Sequence, residues 1–118
     1  RTRTFFHGHS FTGNPLACRA ALATLELFDQ LETLHANEGL ARALDEAFLP
    51  LAQHPRVRNA RRAGMIWAWD VADAPAGFPL RYQSEALARG LLLRPIGGTV
   101  YAMPPYLLQP HEVRHLGE

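Results

Sequence analysis

"VRNARRAGMIWAWDV", residues 57–71, is where the texture of the chain changes. Aromatic and β-branched residues gather in its second half and Gly64 falls in the middle, so it reads as extended chain interrupted or bulged near that glycine. Upstream of it the pattern is helical. Leu22, Leu25, Phe28, Leu31 and Leu34 recur at three-residue steps along one face. Asn14-Pro15 after Gly13 is a helix start, because Asn caps well and proline at the first helical position gives up only an N–H that has no partner there. These residues predict a helix over 15–34. A second is predicted after Asn37 as its cap, with Leu40, Leu44, Phe48 and Leu51 as its stripe, stopping near His54-Pro55 where proline disfavours helical geometry in the residue before it.

Beyond Val71, residues 73–77 read as a turn, and "PLRYQSEALARG" (79–90) as a short helix with Gly90 at its C-cap. "LLLRP" (91–95) and "TVYAMPP" (99–105) read as two strands joined by Ile96-Gly97-Gly98, a hairpin-like connection. Pro110 begins a last helix close to the end of the sequence. The predicted order is ααβαββα, and the fold class is α+β: a small, mostly antiparallel sheet covered by helices. No internal repeat or low-complexity segment is present.

Composition narrows the function. With 118 residues the chain suits one domain, and 47% hydrophobic against 19% charged residues is the balance of an ordered protein. A net charge of +1, with Arg61-Arg62 the one adjacent basic pair, argues against a nucleic-acid partner, and that pair is expected on a solvated strand edge. Apolar runs are broken well short of the roughly 20 residues a membrane span needs, and no targeting segment is visible. The single cysteine, Cys18, has no internal disulfide partner, which suits a cytoplasmic protein. The opening "RTRTFFHGHSF", without a methionine, reads as the start of a piece cut from a longer protein. All 12 basic residues other than histidine are arginine, so chemistry that needs a lysine amine as Schiff-base former is closed to these residues alone.

"HEVRH" (111–115) has the His-Glu-x-x-His spacing that places two imidazoles on one helix face to hold zinc, with the glutamate as general base. A catalytic zinc needs a third protein ligand, and Leu116, Gly117 and Glu118 supply no downstream histidine. Two exposed histidines on a last helix is therefore the expectation, and a zinc hydrolase through His111, Glu112 and His115 the alternative.

Two other segments carry chemistry. "HGHSFTGNPLAC" (7–18) sets the hydroxyls of Ser10 and Thr12 and the glycines Gly8 and Gly13 ahead of a helix N-terminus, where backbone N–H groups and the helix dipole favour an anion such as phosphate; ordinary capping is the alternative. In "LLLRPIGGTVYAMPPY" (91–106), Arg94 closes an otherwise apolar strand. Its planar fork matches a carboxylate in bidentate fashion, either on a substrate or in an internal salt bridge. Gly97 and Gly98 let the backbone turn back so that Tyr101 can return toward the same place.

In combination, "HGHSFTGNPLAC" and "RPIGGTVYAMPPY" (94–106) resemble the C-terminal portion of class III pyridoxal-phosphate (PLP) aminotransferases, over a span from Phe6 to about Leu108. The first motif is shared broadly across that family, and the second points to one branch of it. The resemblance implies the C-terminal small domain of a fold-type I PLP enzyme, with residues 1–13 leading from a larger cofactor-holding domain and 14–118 forming the small domain, short at its end. It also implies a homodimer acting on small-molecule substrates. By its position Ser10 matches a hydroxyl that holds the cofactor phosphate across the dimer, with His9 beside it where the family often has proline. Arg94 matches the arginine that binds a keto-acid carboxylate, and Tyr101 a tyrosine lining that pocket. Thr12 and Asn14 are left to shape the backbone, and Cys18 is expected to be a small buried hydrophobe. The lysine and the aspartate on the pyridine nitrogen would lie upstream, so these residues alone are expected to be inactive. Another ω-aminotransferase of the same family is the alternative.

Overall fold

The stretch 57–71 folds as a hairpin. In a computed structural model that describes residues 7–118, strands β1 (Val57–Ala63) and β2 (Ile66–Val71) pair antiparallel from Val57 opposite Val71 to Ala63 opposite Ile66. Gly64 makes the reversal with φ at +58°, where a side chain would be strained. The interruption predicted near Gly64 is thus a turn between two strands. The bulge lies elsewhere, between Arg58 and Arg61, where Asn59 adopts φ +48°. Strand β3 (Thr99–Ala102) adds antiparallel to the other side of β2, completing a sheet of order β1-β2-β3. Helices α1 (Pro15–Gln30), α2 (Thr33–Ala52), α3 (Phe78–Ala88) and α4 (Pro110–Gly117) complete the order ααββαβα, an α+β fold as expected, though with a different element order from the predicted one. Arg1–Phe6, where the resemblance and the 1–13 segment begin, lie outside the described residues.

The chain divides into two compact units, one up to Leu34 and one from His35 to Glu118. In the first, α1 ends at Gln30 rather than at residue 34. Leu31 N–H still reaches the Leu27 carbonyl, but Glu32 turns into the left-handed region at φ +45° and stops the helix. Helix α2 then starts at Thr33, so Asn37 is not a cap. It lies inside α2 and is buried, in line with Ala41, Leu44 and Phe48 at steps of four, three and four.

That stripe builds the core of the second unit. Trp67 and Trp69 of β2 and Val100 and Ala102 of β3 leave one face of the sheet and pack with Ala41, Leu44 and Phe48 of α2 and Val113 of α4. The Phe48 ring meets Trp67 and Trp69 edge-on at centroid distances of 5.5 and 5.0 Å. Leu44 is 0% exposed, a burial that contributes about 1.5–3 kcal/mol. Asp45 of α2 ties the helix to the sheet: it accepts from Trp67 Nε1–H at 2.8 Å and pairs with Arg62 at 3.5 Å, whose guanidinium lies over the Trp67 ring. The pair Arg61-Arg62 does sit on the edge strand, but both guanidinia have carboxylate partners, since Arg61 reaches Asp70.

Helix α3 ends as its sequence requires. Gly90 takes φ +78°, its N–H donates to Leu87 O and the Leu91 N–H to Ala86 O, a Schellman ending. The predicted strand over 91–95 is absent. Among the described residues these five have no ladder partner, and only Ile96 pairs, with Thr99, through two hydrogen bonds around the left-handed Gly97. The hairpin-like connection therefore forms at its tip while one limb stays extended and unpaired. Pro95, which has no N–H to give, is part of the reason.

Candidate functional site

Residues 9–14 form a tight turn held by local bonds. Thr12 N–H donates to His9 O, the His9 N–H to Thr12 Oγ1 at 3.1 Å, the Phe11 N–H to His9 Nδ1 at 3.1 Å, and Asn14 N–H to Phe11 O. Gly13, at φ +77°, redirects the chain into α1. Asn14 caps that helix, accepting from Ala17 N–H at 3.1 Å, and Pro15 occupies the first turn. The helix N-terminus expected to offer a row of free donors is thus largely satisfied by its own cap. What the turn presents instead is the exposed Ser10 hydroxyl, which has no hydrogen-bond partner among the described residues. Thr12 and Asn14 do shape the backbone, as expected. Cys18 is exposed, not buried, because α1 buries none of its residues.

Arg94 and Tyr101 stand on the two limbs that meet at the Ile96–Thr99 turn. Arg94 is exposed on the extended limb, and the internal salt bridge that was its alternative is not formed among the described residues. Tyr101 is half-buried in β3 opposite Ala68. Its neighbours Val100 and Ala102 face the core, so alternation sends its side chain to the opposite face of the sheet. A cavity of about 240 Å³ behind Phe48, Trp69, Tyr82 and Leu93 is apolar, and neither Arg94 nor Tyr101 lines it.

In the His-Glu-x-x-His helix, Glu112 and His115 make hydrogen bonds within the fold. Gln109 N–H donates to the Glu112 carboxylate at 2.6 Å, so the glutamate serves as a capping group of α4. His115 Nε2 donates to Arg89 O at 2.8 Å, tying α4 to the end of α3. Among the described residues no group of three metal-ligating side chains gathers anywhere.

One cluster escaped the sequence reading. On the sheet face shared with Tyr101, the Asp70 carboxylate accepts from Thr99 Oγ1 at 2.8 Å, Asn59 Nδ2 at 3.0 Å and Arg61 at 3.2 Å. The Asn59 bond, then the Thr99 bond and the Arg61 contacts, hold its pKa below the ordinary 3.8, partly opposed by desolvation. The one sequence signal was an acid at an outward position in "WAWDV"; its partners depend on strand pairing.

Comparison with known proteins defines the class. The sequence model of the family "Aminotransferase class-III" matches residues 2–118, and the chain belongs to that family. Its relatives include the adenosylmethionine-8-amino-7-oxononanoate aminotransferase of Synechococcus elongatus, 45% identical over 96% of this chain, and that of Helicobacter pylori, 37% identical over 95%. The chain spans 27% of the length of each of these relatives. In structure it is similar to the same-named enzyme of Methanocaldococcus jannaschii (TM-score 0.83, 27% identity, covering 97% of this chain and 28% of that one). It also resembles an amine transaminase from an uncultivated Pseudomonas species in its PLP-bound form (TM-score 0.80, 30% identity, covering 97% and 28%). No helix among the described residues is long and apolar enough to cross a membrane.

Proposed function

We propose that this chain is part of a PLP-dependent enzyme that transfers an amino group from S-adenosylmethionine to 8-amino-7-oxononanoate in biotin biosynthesis. The observation that carries the reading is the 45% identity to the Synechococcus enzyme over nearly the whole chain. In this reading residues 14–118 are the C-terminal small domain, and 1–13 lead into it from a larger domain. The protein is a cytoplasmic homodimer.

The residues present fit the cofactor's phosphate. Ser10 offers an exposed hydroxyl, unpartnered among the described residues, on a turn that its own hydrogen bonds keep in place, and His9 flanks it with Nδ1 occupied by the Phe11 N–H. Ser10 would donate to a phosphate oxygen in the partner subunit's site. When bound, the cofactor supplies the electron sink for the carbon that loses its proton during amino transfer. Arg94, which pairs with no carboxylate among the described residues, grips the carboxylate of 8-amino-7-oxononanoate through two parallel N–H bonds, and Tyr101 walls the same pocket. This fixes the distance from the acceptor's charged end to its reacting carbonyl. No lysine occurs in the 118 residues, so the amine that holds the cofactor must come from outside them, and these residues alone are inactive.

The structural likeness to the amine transaminase favours a second reading, an ω-aminotransferase of broader acceptor range. Assaying the full-length protein with S-adenosylmethionine and 8-amino-7-oxononanoate separates the two: product formation is expected. Transfer to simple ketones with none to the oxo acid would establish the second reading instead.

A further inference from the structure

We propose that Asp70 is a positioning residue for the carboxylate-binding limb: by holding Thr99 it fixes the turn from which Arg94 extends. The inference rests on the reading of Arg94 as the carboxylate-binding group. Arg94 lies on a limb without ladder partners among the described residues, so the course of its backbone is set at two anchors. One is the Schellman bond of Leu91 N–H to Ala86 O, and the other is the reciprocal pair of Ile96 and Thr99.

The second anchor stands two residues from Arg94 and is itself fastened to β2 in three ways. Thr99 is in register with Asp70, the Val71 N–H donates to Gly98 O at 2.8 Å, and Thr99 Oγ1 donates to Asp70 Oδ1 at 2.8 Å. Room at this point is limited, since a Cβ on Gly98 would stand 3.4 Å from Ala74 Cβ and 3.5 Å from Val71 O. Asp70 in turn is held by Asn59, whose left-handed backbone belongs to the bulge of β1, and by Arg61 beyond it. The bulge thus aims two donors at the one carboxylate that also takes the Thr99 hydroxyl. All of these groups share the sheet face on which Tyr101 stands. The cluster braces the end of β2 against the turn and, among the described residues, leaves Arg94 itself unpaired, so that it can take an anion. Asp70 touches no substrate; it acts through Thr99.

The test uses the full-length enzyme, with 8-amino-7-oxononanoate and its methyl ester as alternative acceptors. Asp70→Ala and Thr99→Val should each raise KM for the acid by about tenfold, the size of one hydrogen bond to a charged group, with kcat held within about twofold. KM for the ester, which gives Arg94 no carboxylate, should stay unchanged, and Thr99→Ser should restore the parent KM. Thr99→Val leaves the Asn59 and Arg61 bonds to Asp70 in place, so it serves if Asp70→Ala folds poorly. Equal losses with acid and ester would show a merely structural role and overturn the proposal. So would an unchanged KM for the acid while Arg94→Ala raises it, an outcome that leaves the carboxylate reading standing. If Arg94→Ala also leaves that KM unchanged, the carboxylate reading itself falls and the proposal with it.

Discussion

The two units of this chain are built on opposite economies of apolar surface. Helix α1 carries Leu16, Leu22, Leu25 and Leu27 more than half exposed and buries nothing, so its shape rests on the Asn14 cap, the Pro15 start and intrinsic propensity. The second unit places two tryptophans, Phe48 and Leu44 in one contact cluster and draws its stability from packing. A leucine stripe in a sequence therefore says that a face is apolar, not that the same chain covers it.

The sharpest way to break this contrast is to truncate one leucine in each unit. Leu44→Ala should cost about 2–5 kcal/mol in denaturant unfolding of the 118-residue chain, while Leu22→Ala, 53% exposed in the parent, should change it by about 0.5 kcal/mol or less. Equal costs would mean that α1 is buried after all. Next in size is Gly117→Ala. A Cβ there would stand 2.7 Å from Ala47 O, closer than atoms pack, so α4 must shift off α2 at about 1–3 kcal/mol, read as a lowered urea midpoint.

Asn14→Ala should weaken α1 by about 1 kcal/mol, seen as faster amide exchange at Ala17. The unfolding midpoint of the second unit should not move, and a shift there would show that the units unfold together. The smallest effect expected is on pH. Because the folded pKa of Asp70 lies below its ordinary 3.8, its contribution to stability is complete above that value and is lost as pH falls through the folded pKa. The stability difference between the parent and Asp70→Asn, measured by thermal unfolding at neutral pH, should therefore shrink in acid below the ordinary value; a constant gap would mean the carboxylate's charge contributes nothing.

Residues whose role is local were legible. Asn14-Pro15 starts a helix, Gly90 ends one and Gly97-Gly98 turns the chain, because each satisfies a backbone requirement within a few residues of itself. Ser10, Arg94 and Tyr101 were singled out by their motifs, and the structure leaves Ser10 and Arg94 without partners among the described residues. Asn37 misled, since its type favours caps but its position on the stripe of α2 puts it in the core. The segment 91–95 misled because apolar extended chain becomes a strand only when another strand pairs with it. Glu112 has the spacing of a catalytic base, and its carboxylate makes the hydrogen bond of a cap.

The sequence by itself determined the helix start at Asn14-Pro15, the helix stop at Gly90 and the turn at Gly97-Gly98, which faces are apolar, and that these 118 residues hold no lysine amine, because these follow from residue type and near neighbours. The tertiary structure alone decided which apolar faces are covered, that 57–71 is a hairpin with its bulge at Asn59, and that Asp70 meets Thr99 across 29 positions of sequence. Such contacts depend on strand register, and register is set by burying Trp67 and Trp69 against α2 rather than by anything written beside Asp70.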